Sequence, residues 1–235
     1  YPLTNRIVQY SGVEDIAVLG SSRDLEIKLP GGNVTTDLRD GVDLGSGVTG
    51  DRLLVSGLPT VSFANPGRLL RLRGNGSTAL TVSGSNDAEF SLANSLDMTG
   101  LSSLTVQQDL KVTGDLSLYA SGNLDASGGK LRATGVVSAT GGGLATFKNV
   151  TASNINLGST GTGVKLSTDG LVEATGSSVT VSSPGVLQIA GQVKGQWVYL
   201  QSLGSSSANS IAVAGTPSVT ANQSFIEVQS TGGGI

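Results

Sequence analysis

Four aspartates crowd into one glycine-rich stretch. Asp37, Asp40, Asp43 and Asp51 lie within "GGNVTTDLRDGVDLGSGVTGD", residues 31–51. Calcium takes several oxygen ligands, and carboxylates a few residues apart on a bending chain can supply them. The same residues are also ordinary formers of solvated turns. No EF-hand or repeat-in-toxin pattern accompanies them, so this loop is a candidate calcium site only, and no cofactor is expected. A second group could meet a glycan. Arg68, Arg71 and Arg73 form a short basic strand in which Arg71 and Arg73, two residues apart, share a face and could meet an anionic sugar. Trp197 and Tyr199 share a face in the same way, and aromatic rings turned outward stack on sugars. The bland alternatives are a solvated face for the arginines and inward packing for the two rings.

Two further motifs lose their meaning in context. Gly45-Ser46-Gly47-Val48-Thr49-Gly50 fits a dinucleotide fingerprint, which needs a strand before it and a helix after it; no helical pattern follows. Ser127-Gly128-Gly129-Lys130 fits the Ser-x-x-Lys form, but that motif works at a helix N-terminus and this one reads as a corner between strands. The 17 acidic residues are scattered with no Asp-Asp pair, and there is no histidine. Two carboxylates could in principle cleave a glycoside without histidine, yet they must converge, and nothing in the spacing converges. The expectation is a chain with no catalytic residues, not an enzyme. A polysaccharide lyase or hydrolase is the alternative, and a fibre or shaft segment, which would need to trimerise, is another.

Composition narrows the elements that must position these groups. Glycine supplies 35 of 235 residues, charged residues only 13% and aromatics 4%. With 37% hydrophobic residues and a net charge of −3, the chain is too apolar and too weakly charged for disorder. Cysteine is absent, which removes disulfides and thiolate metal sites. The weak net acidity and lack of a basic cluster give no reason to expect nucleic acid. No apolar run reaches the roughly 20 residues of a membrane-spanning helix. No signal peptide is visible at Tyr1-Pro2-Leu3.

Periodicity supplies the architecture. Gly114-Asp115-Leu116-Ser117-Leu118, Gly122-Asn123-Leu124-Asp125-Ala126 and Gly129-Lys130-Leu131-Arg132-Ala133 repeat one form: glycine, polar, leucine, polar, apolar. Apolar residues two apart are the mark of a strand with one buried side. Such doublets run from Leu80/Val82 to Leu187/Ile189, and between Leu96 and Leu187 they begin about every seven residues. No helical stripe appears. Three very short strands and their corners make a coil of roughly 20–22 residues, which is the range of a solenoid repeat. The expected fold is all-β, a single right-handed parallel β-helix. Glycine is expected to bend the corners with positive φ, and the polar residues need only be soluble and strand-compatible. Residues 1–75 read as a less regular part. Longer strands are expected over 6–30, with Val8, Val13, Ile16/Val18 and Leu25/Ile27/Leu29 apolar. A loop follows over 31–51, and strands resume at 52–59 and 68–74. Residues 76–202 read as regular coils and 203–235 as a C-terminal cap and tail.

The phrases Arg6-Ile7-Val8-Gln9-Tyr10-Ser11-Gly12-Val13, Leu80-Thr81-Val82-Ser83-Gly84 and Val213-Ala214-Gly215-Thr216-Pro217-Ser218-Val219 carry a resemblance. Together they resemble the GIN-type head domain of autotransporter adhesins, a bacterial secreted or surface family. What the resemblance implies is a right-handed β-helix at the cell envelope, secreted, periplasmic or at the surface, with no catalytic residues to carry over. The resulting expectation is an adhesive or structural module that binds an envelope protein or a glycan through its solvent face, as a monomer or weak dimer.

Overall fold

The computed structural model describes residues 15–20, 22–45, 49–85, 87–204, 211–222 and 225–231. Among them are 22 strands and no helix. In chain order they begin with β1 (Asp15–Val18), β2 (Asp24–Lys28), β3 (Gly32–Asp43), β4 (Thr49–Val55), β5 (Thr60–Phe63), β6 (Leu69–Val82) and β7 (Glu89–Leu92). Next come β8 (Ser95–Val106), β9 (Asp109–Val112), β10 (Leu116–Ala120), β11 (Leu124–Ala133), β12 (Val136–Gly141), β13 (Leu144–Ala152) and β14 (Asn154–Ser159). The last are β15 (Gly163–Ala174), β16 (Ser178–Ser183), β17 (Val186–Ile189), β18 (Gln192–Gly195), β19 (Trp197–Ser202), β20 (Ile211–Val213), β21 (Ser218–Ala221) and β22 (Ile226–Ser230).

These strands build a β-solenoid of about seven turns, as the doublet rhythm predicts. The coil has three faces, each a parallel ladder. The first runs β2, β6, β8, β10, β12, β14, β16, β19, β22. The second runs β3, β6, β8, β11, β13, β15, β17, β20, and the third β7, β9, β11, β13, β15, β18, β21. Long strands such as β6, β8 and β11 turn a corner and serve two faces in succession. On the first face Leu96, Leu116, Val137, Ile155, Val179 and Val198 are stacked partners, so the coils between them take from 18 residues (Val137 to Ile155) to 24 (Ile155 to Val179).

Alternation places one side of every strand inside. All these stacked partners are fully buried, as are Leu80, Leu104 and Leu124 on the second face and Phe90, Leu110 and Leu131 on the third. Each side chain so buried contributes roughly 1.5–3 kcal/mol. Large residues sit over small ones: Phe147 stacks on Ala126 from the preceding coil, which keeps the interior close-packed.

The corner glycines serve a different purpose from the one expected. Gly114, Gly122 and Gly129 do not have positive φ. They are bare because the preceding coil lies against them. A Cβ on Gly122 would stand 2.5 Å from the Ser102 carbonyl oxygen, and one on Gly129 would collide with that of Gln108. The polar residues of the phrase also do more than dissolve it. Asp115 Oδ1 accepts the Val136 N–H at 2.8 Å and Asn123 Oδ1 accepts the Leu144 N–H at 2.9 Å. Asp109 and Asn149 do the same for Lys130 and Leu171. Each satisfies a backbone donor one coil further on, where the chain bends out of its ladder.

The N-terminal region departs from the reading of its sequence. Val8 and Val13 lie outside the described residues. β1 and β2 have four and five residues, no longer than strands elsewhere. The stretch read as a loop, 31–51, is largely strand: β3 leaves the second ladder and forms an antiparallel hairpin with β4, which pairs antiparallel with β5. Its glycines and aspartates look like turn residues, but the inward positions Val34, Leu38, Leu53 and Val55 bury a core. Regular stacking begins at Leu69, where β6 joins the first ladder. At the other end β20, β21 and β22 add one strand to each ladder. There the inward ladder positions Ile226 and Val228 are 44% and 37% exposed.

Candidate functional site

The outward side of the first face follows directly from this register. One column reads Arg71, Asp97, Ser117, Ser138, Asn156, Thr180, Tyr199. A neighbouring column reads Thr140, Gly158, Ser182, Gln201, with Tyr119 beside Thr140. The third ends Ser178, Trp197, preceded by Asn154 and Val136. From β10 through β19 no outward position of these five strands is charged. Five strands at about 4.8 Å spacing make a strip about 19 Å long. Asp97 and Asp115 bound it at one end and Glu227, the partner of Tyr199, at the other.

Aromatic rings stand at both ends of the strip. Tyr119 is exposed. Trp197 and Tyr199 point outward from β19 and are half-buried, because the alternation that sends Val198 and Leu200 inside turns them out. The inward alternative for these two rings is thereby excluded. The Phe225 ring packs edge-on against Tyr199, with centroids 5.4 Å apart and planes at 90°. That contact fixes the Tyr199 ring. In the middle of the strip Gly158 leaves a recess. A Cβ there would stand 3.4 Å from Thr140 Oγ1 and 3.8 Å from Ser182 Oγ, so both hydroxyls line it.

Arg71 and Arg73 lie on this same face, six ladder steps from Trp197 and Tyr199. They are already engaged. Arg71 Nε donates to Asp97 Oδ2 at 2.7 Å, a bond that holds its guanidinium above its ordinary pKa, and the Glu26 carboxylate lies 3.6 Å from Arg71 and 3.9 Å from Arg73. Arg68 donates to both Asp24 carboxylate oxygens through Nε and Nη2, which lowers the Asp24 carboxyl. Acids therefore balance the basic strand within its own ladder.

The outward side of the third face is the opposite case. Glu89, Asp109, Lys111, Lys130 and Arg132 form a connected charge lattice. Arg132 pairs with Glu89 and lies 3.6 Å from Asp109, while Lys130 lies 3.7 Å from Asp109 and Lys111 3.9 Å from Glu89. A shallow depression lined by Lys130, Arg132, Asn149 and Thr151 adjoins it.

The four aspartates of the hairpin go to different places. Asp40 Oδ2 accepts the Ser91 N–H at 2.7 Å and ties the hairpin to β7, and Asp43 accepts the Gly45 N–H at 2.8 Å. Asp37 is buried beside Arg39, whose Nε lies 3.6 Å from it. Asp51 is 1% exposed, and its Oδ2 has no hydrogen-bond partner. Burial pushes its carboxyl up to about 7, with the Asp40 charge adding to the rise. An acid so perturbed suits proton transfer where it meets a substrate, but this one is a buried inward position of β4, in line with Leu53 and Val55. Among the described residues no three His, Cys, Asp or Glu side chains gather closely enough to hold a metal ion.

The two weak motifs are equally plain. The middle of Gly45–Gly50, residues 46–48, lies outside the described residues; strands flank it on both sides. Ser127 bonds to Asp125 through both its N–H and its hydroxyl, and Lys130 faces Asp109. Among the described residues no helix is long and apolar enough to cross a membrane. The chain matches no protein-family model, no curated protein and no solved structure, so the resemblance to adhesin head domains rests on the quoted phrases.

Proposed function

We propose that the chain is a non-enzymatic adhesive or structural binding module of the bacterial surface or secretome, and that it binds through the outward side of its first face. One observation carries this reading: five adjacent strands present an uninterrupted uncharged surface of hydroxyls, amides and rings, while the outward side of the third face carries a lattice of paired charges. A folded ladder does not need that uniformity, because outward positions tolerate either kind of residue, as the third face demonstrates. Ordered backbone beneath the strip also lowers the entropy cost of binding, since every strand in it is hydrogen-bonded on both sides.

The reading is tested by measuring two things on the purified chain. Adsorption to intact bacterial cells and to immobilised polysaccharides should be saturable. Incubation with acidic and neutral polysaccharides should release no new reducing or unsaturated ends. Release of such ends would overturn the non-enzymatic reading in favour of a lyase or hydrolase.

A further inference from the structure

The chemistry of the strip selects a class of ligand. An anionic partner needs cations to replace its counterions, yet no outward residue of β10, β12, β14, β16 or β19 is basic, and Arg71 and Arg73 are engaged by Asp97 and Glu26. A protein partner would be expected to bury a largely apolar centre. Here the centre of the strip is Ser138, Asn156, Thr180 and the Gly158 recess, and its rings stand at the ends. Hydroxyl and amide donors and acceptors, repeated at one strand spacing and ended by ring faces, fit an uncharged sugar chain. The spacing is about 4.8 Å, close to the length of one pyranose residue, so a glycan laid across the strands would meet one row of the strip per ring. Aromatic rings favour the apolar C–H face of a sugar and hydroxyls its rim.

Resting on the reading of this face as the binding surface, we propose that the strip binds a neutral polysaccharide lying across the strands, along the solenoid axis. Trp197 and Tyr199 stack on sugar rings at one end, with Phe225 bracing Tyr199. Ser138, Asn156 and Thr180 hydrogen-bond to sugar hydroxyls between, and the Gly158 recess admits a ring substituent. Arg71 and Arg73 take no part.

Native electrophoresis in gels cast with hydroxyethylcellulose, glucomannan, dextran or alginate tests this. Migration should be slowed in at least one neutral gel and not in alginate. Trp197→Ala and Tyr199→Ala should each weaken the retardation about tenfold, with unchanged circular dichroism and melting temperature to show that the fold is intact, and Arg71→Ala should leave it unaltered. Trp197 is the only tryptophan in the chain, so its fluorescence should also shift in the wild type as the retarding polysaccharide is titrated in. Retardation by alginate alone, or retardation untouched in the Trp197→Ala/Tyr199→Ala double variant, would overturn the proposal. If no gel retards the protein but Thr180→Asp abolishes its adsorption to cells, the binding face stands and the ligand class is wrong, with a surface protein as the occupant. If Thr180→Asp changes neither property, both the ligand and the face are wrong.

Discussion

The first and third faces of the solenoid share one backbone plan and differ in what they show to water. On the third face Arg132, Lys130 and Lys111 interlock with Glu89 and Asp109. On the first, β10 to β19 carry no charge. Inward positions are alike buried on both, and mostly apolar, with Ser159, Ser183 and Ser202 as buried serines on the first. The difference teaches that in this fold the ladder is held by what points in, and that the outward positions are free to carry a charge lattice on one face and an uncharged strip on another.

The premise breaks first if inward and outward residues prove equally important. Val137 is fully buried on the first face and Ser138 beside it points out. Val137→Asp places an unpaired charge in the core and should cost roughly 3–5 kcal/mol, while Ser138→Asp should stay within about 0.5 kcal/mol. Chemical denaturation of the two variants checks this.

Asp51 is the exception in which an acid points inward, and it predicts a pH effect. Its carboxyl is raised from 3.8 to about 7 in the fold, so the fold favours the protonated form. The stability linked to this group is fully present below about pH 4 and is lost as pH rises through about 7, by about 2–4 kcal/mol in all. Asp51→Asn should remove that decline. Asp24, lowered by Arg68, acts in the opposite sense, its stability being lost as pH falls through its folded pKa, so the difference between wild type and variant in a pH series of thermal melts isolates Asp51.

The corner acceptors predict a smaller effect. Asn123→Ala removes the acceptor for the Leu144 N–H and should cost about 1 kcal/mol. Smallest is the charge lattice itself. Arg132→Ala should cost less than about 1 kcal/mol at low salt and nothing measurable in 1 M salt, whereas Thr180→Asp on the first face should alter stability little at any salt.

The inward doublets were legible because alternation is local: Leu116 and Leu118 announce a buried side without knowledge of any other coil. The strip was not legible, because Ser117, Ser138, Asn156, Thr180 and Tyr199 become neighbours only through register, and the coil length between them varies. The orientation of Trp197 and Tyr199 was undecided for the same reason, since a half-buried pair depends on the strands beside it. The hairpin was hidden by composition. Gly41, Asp40 and Asp43 favour turns one by one, yet antiparallel pairing and the burial of Leu38 and Leu53 outweigh those preferences. The corner glycines are legible by position but not by purpose, because the close approach of Ser102 to Gly122 is made by residues one coil away in the chain.

The most direct measurement compares two threonines. Thr180 on the first face and Thr151 on the third are both half-buried, both outward and both flanked by inward valines or alanines. Thr180→Asp and Thr151→Asp introduce the same charge on the same kind of strand, and adsorption to bacterial cells and to immobilised neutral polysaccharide reads the result. The account predicts at least a tenfold loss for Thr180→Asp and no change for Thr151→Asp. Equal adsorption by the two variants, or a loss confined to Thr151→Asp, would contradict it.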